Sequence, residues 1–121
     1  MEEKKTLVLG ASENPDRYAN KAIRALRKKG HPVVAVGLRN GKVMDVDIVK
    51  EKPESDNIDT ITLYLSAKNQ KGYYDYILSL NPKRIIYNPG AENEELEALA
   101  EENGIENMEA CTLVLLATNQ F

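Results

Sequence analysis

The chain has 121 residues, with sixteen Lys and Arg against nineteen Asp and Glu, a net charge of −3, one His and one Cys. That length fits one domain able to bury roughly two-thirds of the surface its unfolded chain exposes, and the charge balance argues against the broad basic footprint of a nucleic-acid-binding protein. One cysteine excludes an internal disulfide, one His with one Cys cannot supply the four ligands of a structural zinc, and no apolar run reaches the ~20 residues of a membrane span or the plan of a secretory signal, so the expected setting is a reducing cytoplasm, away from membranes.

Residues 6–9 are a continuous apolar run ending at Gly10, the pattern of a strand covered on both faces. Over residues 19–29, Ala19, Ala22, Ile23 and Leu26 recur at helical spacing, and Arg24, Arg27, Lys28 and Lys29 crowd the last turn, where cations complement the helix dipole. Gly30 closes this helix and Pro32 forbids its continuation. His31, just beyond that cap and without a local Ser, Cys or Asp partner arrangement, reads as a surface loop residue.

Residues 33–36 repeat the buried-strand signature and end at Gly37, so strand, helix and strand fit a βαβ unit. Between Leu38 and Ser55 the pattern weakens around Asn40-Gly41, a turn signal, and an irregular or hairpin-like insert is expected. Residues 60–65 are β-branched and apolar, and Ser66 is placed to cap a helix running to Leu80, stopped by Asn81-Pro82. Tyr73, Tyr74 and Tyr76 cannot all face inward on that helix, which leaves one for the surface.

Arg84–Tyr87 forms the fourth strand, Asn88-Pro89-Gly90 a turn, and residues 92–103 a helix whose acidic first turns suit its positive end, with Gly104 at its close. Residues 105–109 make a fifth strand. Residues 111–117 are apolar and fit either a short helix or a strand, and Cys111 there reads as a buried, inert thiol. The expectation is one α/β domain over residues 1–121: a doubly wound, mainly parallel five-stranded sheet with helices on both faces.

The segment Gly10-Ala11-Ser12-Glu13-Asn14-Pro15 lies between the first strand and first helix, where doubly wound sheets bind ligands outside their strand ends. Gly10 permits a tight turn, and backbone N–H groups with the Ser12 hydroxyl suit a phosphate, although any such loop needs a small turn residue. The dinucleotide pattern G-x-G-x-x-G is not met, since Ser12 and Pro15 replace its later glycines. Strand two ends Val36-Gly37-Leu38-Arg39 without the acid that binds the ribose of NAD. Arg39 and Lys42 suit a phosphorylated ribose instead, against the alternative of solvated surface cations.

With Gly10-Ala11-Ser12-Glu13-Asn14-Pro15 after strand one, Lys29-Gly30-His31-Pro32 before strand two, Asn88-Pro89-Gly90-Ala91-Glu92-Asn93 after strand four, and Gly104-Ile105 before Cys111, the chain resembles the CoA-binding protein family. This family is a stand-alone relative of the nucleotide domain in the succinyl-CoA synthetase α subunit, and the similarity covers nearly the whole chain. The resemblance implies a Rossmann-like fold and coenzyme A, or acyl-CoA, as ligand. It places Gly10, Ala11, Ser12 and Asn14 near the phosphates, Val36, Gly37, Arg39 and Lys42 at the end of strand two, and Tyr64-Leu65-Ser66 with Asn88-Pro89-Gly90 along the same crevice. The family commonly reads Val-Asn-Pro at the end of strand two, Trp-x-Gln-Pro-Gly at strand four and Arg before the cysteine, where Val36-Gly37-Leu38, Tyr87-Asn88-Pro89-Gly90 and Ala110 stand here. His31 does not match the phosphohistidine of the synthetases, so ligase activity does not carry over.

The expected function is therefore non-catalytic CoA binding in a carrier, sensor or regulatory module, with no catalytic or metal-ligating residues assigned. The alternatives are an NAD(P)-dependent oxidoreductase domain and a protein-interaction domain with a decayed nucleotide site. Protein partner and oligomeric state are left open.

Overall fold

The computed structural model describes residues 2–121. Strand β1 (Thr6–Ala11) leads through helix α1 (Tyr18–Lys28) to β2 (Val33–Gly37), a β3 (Gly41–Val43) and β4 (Val46–Val49) hairpin, and β5 (Thr60–Leu63). Helix α2 (Ala67–Gln70), a 3₁₀ turn (Lys71–Tyr73) and α3 (Tyr74–Leu80) precede β6 (Arg84–Tyr87), α4 (Glu94–Glu102), β7 (Glu106–Glu109) and α5 (Thr112–Ala117).

The strands lie in the order β3-β4-β2-β1-β5-β6-β7. Every neighbouring pair is parallel except β3 with β4. Taken alone, the parallel strands follow the doubly wound order 3-2-1-4-5-6, and the winding reverses between β1 and β5. The Rossmann-like α/β class expected from sequence is the one observed, but the sheet has seven strands rather than five. The insert supplies the other two, pairing Val43 with Val46 and extending the β2 edge.

Alternation along the strands divides the core. Leu7, Leu9, Ile61, Leu63, Ile85 and Tyr87 pack on one face with Ile77, Leu96 and Ala100 from α3 and α4. Val8, Ala35, Ile48 and Ile86 pack on the other with Ile23 and Leu26 of α1 and Leu116 of α5. Helices thus cover both faces, which is why the strands read as unbroken apolar runs.

Three local expectations change. The helix expected over 66–80 breaks into α2, the 3₁₀ turn and α3, with Gly72 in the break; Ser66 stands at the start of α2 but its side chain makes no cap. Tyr73, Tyr74 and Tyr76 are all half-buried, so none is the surface residue expected. His31 is fully buried rather than a surface residue. Gly30, at φ +84°, lets His31 N–H return to the Leu26 carbonyl at 3.0 Å, folding the ring under the helix. There its Nδ1 accepts Lys4 N–H at 2.9 Å and the ring packs 5.0 Å from Phe121, contacts that no local pattern reveals.

Candidate functional site

The carboxyl ends of β1, β2, β5 and β6 open into one cleft of about 690 Å³ at the winding reversal, a volume usual for small-ligand sites. Gly10 makes the first wall possible. It sits at φ +97°, and a β-carbon there would lie 3.0 Å from the backbone C and O of Tyr64, so β1 turns out of the sheet in close contact with the end of β5. Gly37 does the same for β2, because a β-carbon would overlap the Ala11 carbonyl oxygen.

The β1–α1 loop is braced from within. Asn14 N–H donates to Ser12 Oγ at 3.1 Å and Asp16 N–H to Asn14 Oδ1 at 3.0 Å. Asn20 Nδ2 donates to the Ser12 carbonyl at 3.0 Å and is itself held by Arg24 Nε, 2.8 Å from its Oδ1. Helix α1 then starts with Arg17 at the N-cap, no side-chain cap and no acid in its first turn. Its first N–H groups thus have no side-chain acceptor, and residues 17–19 line the cleft, an arrangement suited to an anion. Arg17 and Arg39 line the cleft against a single acid, Glu13, so the site is locally cationic in a protein of net charge −3.

The opposite wall comes from residues 64–66 and 89–91. Gln70 ties these two loops together, its Nε2 donating to the carbonyls of Leu65 and Ala91 at 2.8 Å each, while its Oε1 accepts Asn93 Nδ2 at 2.8 Å. Below them the Tyr64 hydroxyl is buried beside Thr62 and Thr112 without a hydrogen-bond partner of good geometry, and burial pushes its pKa up to about 12. It is neutral at any ordinary pH.

Of the residues expected at the site, Gly10, Ala11, Ser12, Asn14, Arg39, Tyr64, Leu65, Ser66, Pro89 and Gly90 line this cleft. Val36 and Gly37 do not. Val36 is fully buried in the core, and Gly37 acts by close packing against Ala11. Lys42 also lies outside. It stands on the β3–β4 hairpin opposite Asp47, and only its backbone N–H turns back, donating to Glu13 Oε2 at 2.9 Å.

Asn88 is buried beneath the cleft as a structural hub. Its Nδ2 donates to Thr62 Oγ1 at 2.7 Å and the Leu63 carbonyl at 2.9 Å, and its Oδ1 accepts Thr112 N–H at 2.9 Å. Cys111, expected to be buried, is half-exposed at the start of α5, where the chain leaves the sheet. Sequence reasoning passed over Glu13, Arg17, Tyr18, Ala19, Leu38 and Ala91 as lining residues. Arg17 carried a readable signal, a cation at the start of a helix facing the strand ends. Tyr18 and Leu38 are 67% and 82% exposed, which their apolar side chains did not suggest.

A parallel sheet of this winding, with a glycine-turned, locally cationic cleft at the reversal, defines a nucleotide-binding type of α/β domain. A family model described as a CoA binding domain matches residues 4–117, and the chain belongs to that family. A solved structure of an uncharacterized protein is 48% identical with TM-score 0.97, each chain covered completely. The structure of cell-free ID.343 from Thermus thermophilus is 23% identical with TM-score 0.86 over 98% of this chain and 91% of that one. An acetyl-coenzyme A synthetase of the dinucleotide forming type from Ca. Korarchaeum cryptofilum, in complex with phosphate and ADP, is 19% identical with TM-score 0.72, over 88% of this chain and 25% of that one. The last two likenesses show the fold. No curated protein matches the chain. Among the described residues no helix is long and apolar enough to cross a membrane, and no group of three or more His, Cys, Asp or Glu is placed to hold a metal ion.

Proposed function

We propose that the protein is a cytoplasmic, non-catalytic binder of coenzyme A or acyl-CoA, serving as a carrier, sensor or regulatory module. The observation that carries this reading is the locally cationic cleft at the winding reversal, preformed by the braced loop and the uncapped start of α1. In it, the backbone of Gly10, Ala11 and Ser12 and the start of α1 take the phosphates, Arg39 serves the phosphorylated ribose, and the walls at Tyr64-Leu65-Ser66 and Pro89-Gly90 receive the pantetheine arm. CoA would bring the reactive thiol; this chain's residues bind and orient. The binding reading draws support from the lining, whose hydroxyl and acid groups are Ser12, Ser66, Tyr18, Tyr64 and Glu13, with no His, Lys or Cys among them to make a nucleophile-and-base pair. His31 lies at the opposite, amino edge of the sheet, before β2.

The test is a panel of CoA, acetyl-CoA, dephospho-CoA, NAD, NADP and ADP, read by calorimetry and thermal shift. CoA or acetyl-CoA at a hundred times its Kd should stabilise the fold by about 2.7 kcal/mol and be recovered unchanged after incubation. Saturable NAD binding without a CoA response would overturn the reading in favour of an oxidoreductase domain; turnover of acetyl-CoA would overturn the non-catalytic part.

A further inference from the structure

Glu13 is the one acid lining the cleft, and its carboxylate is seated rather than loose. Oε2 accepts Lys42 N–H at 2.9 Å. The side chain lies directly over Gly41, where a β-carbon would overlap it and oblige it to shift. The antiparallel register Gly41–Ile48 and Lys42–Asp47 fixes the hairpin that offers this seat. Asn40 Oδ1, accepting Lys50 N–H at 3.1 Å, holds the segment just before it. Among the described residues no Lys or Arg nitrogen pairs with Glu13 within 4 Å.

A carboxylate with no side-chain ion pair is thereby held against β3, in the same cleft as Arg39. In dinucleotide-binding sheets an acid at the end of β2 accepts the ribose hydroxyls. Here β2 ends Val36-Gly37-Leu38-Arg39 with no acid, and the acid that lines the cleft comes instead from the β1–α1 loop. An ionised carboxylate can only accept hydrogen bonds. It suits a ribose with free hydroxyls and repels one carrying phosphate.

We infer that Glu13 is the specificity-setting acid of the cleft, favouring an adenosine ligand with unphosphorylated ribose and opposing the attraction of Arg39 for a 3′-phosphate. The inference rests on the reading of the cleft as a CoA site. Its consequence is that CoA and dephospho-CoA are discriminated weakly, the ratio being set by two opposed charges rather than by a dedicated phosphate pocket.

The experiment is calorimetric titration of wild type and Glu13→Gln with CoA and with dephospho-CoA at low salt. Removing the charge should raise the preference for CoA about five- to tenfold, the scale of one partly solvated like-charge contact. In ligand-free protein, Glu13→Ala should speed amide exchange at Lys42 at least about tenfold, since that N–H loses its acceptor. If both ligands bind and the ratio moves less than twofold, the selectivity role of Glu13 is overturned while the CoA reading stands. If neither ligand binds wild type, both fall. Unchanged Lys42 exchange would show that the carboxylate is not seated there, and would overturn the inference independently of any ligand.

Discussion

Replacing Asn88 by Ala removes three buried hydrogen bonds at once, those to Thr62 Oγ1, the Leu63 carbonyl and Thr112 N–H. The losses are unequal. Thr62 Oγ1 keeps Thr112 Oγ1 at 2.8 Å, so that bond costs about the ~1 kcal/mol of an ordinary exchange. Thr112 N–H opens helix α5 with no Cys111 side-chain cap, and stranding a buried donor costs ~1–3 kcal/mol. With the Leu63 bond and a small cavity added, the expected loss is about 3 kcal/mol, or roughly 10–15 °C in Tm for a domain of this length. Urea unfolding followed by circular dichroism measures it without any ligand. Asn88→Asp keeps the acceptor but loses both donors and buries a carboxylate against the Leu63 carbonyl. Its folded pKa lies above the unfolded value of ~3.9, so its deficit should be largest at neutral pH and shrink as pH falls and the acid regains a proton to donate. A loss below about 1 kcal/mol for Asn88→Ala would refute the claim that this residue holds β5, β6 and α5 together.

Two further outcomes follow from groups that the structure places differently from expectation. Burial, reinforced by the charges of Lys4 and Arg84, holds the pKa of His31 below its usual ~6.5, so its contribution is complete above that pH and is lost as the unfolded chain takes up the proton below it. Urea midpoints at pH 7.5 and pH 5 should therefore fall further for wild type than for His31→Gln, and equal falls would refute the assignment. At the cleft, Arg39→Ala should weaken CoA about tenfold and dephospho-CoA much less, the scale of one charge-assisted contact, whereas Lys42→Ala should change either by less than twofold. A Lys42→Ala loss matching that of Arg39→Ala would place the lysine in the site.

The strands that build the frame were legible because both sheet faces are covered, which leaves each as an apolar run ending at a small residue. The hairpin was legible as a region but not as two strands. Asn40-Gly41 carries the turn composition, yet the turn falls at Met44-Asp45, with Met44 at φ 55°, residues that local propensity does not mark for a tight hairpin. Residues 111–117 had no decisible period, since a short apolar run serves helix and strand alike. Long-range contacts decide it: Thr112 N–H goes to Asn88, and Leu116 packs against the face covered by α1, so the segment closes as α5.

For the site, position along the chain was legible and side-chain direction was not. Every parallel strand delivers its following loop to the same edge, so motifs after β1, β5 and β6 had to converge, and Gly10, Ser12, Tyr64 and Pro89 do. Whether a residue at a strand end faces the cleft or the core depends on pleat and on neighbours far away in sequence. Val36 goes inward by alternation, and Asn88 is drawn inward by Thr62 and Thr112, although both stand in motifs that read as binding segments. The reverse holds for Glu13. It looks like a solvated loop acid until Gly41, on a strand no motif announced, is seen to make room for its carboxylate against Lys42 N–H. Two glycines, 37 and 41, bring the end of β2 and the hairpin against the β1–α1 loop, so the charge balance of the cleft is written in positions that contribute no charge of their own.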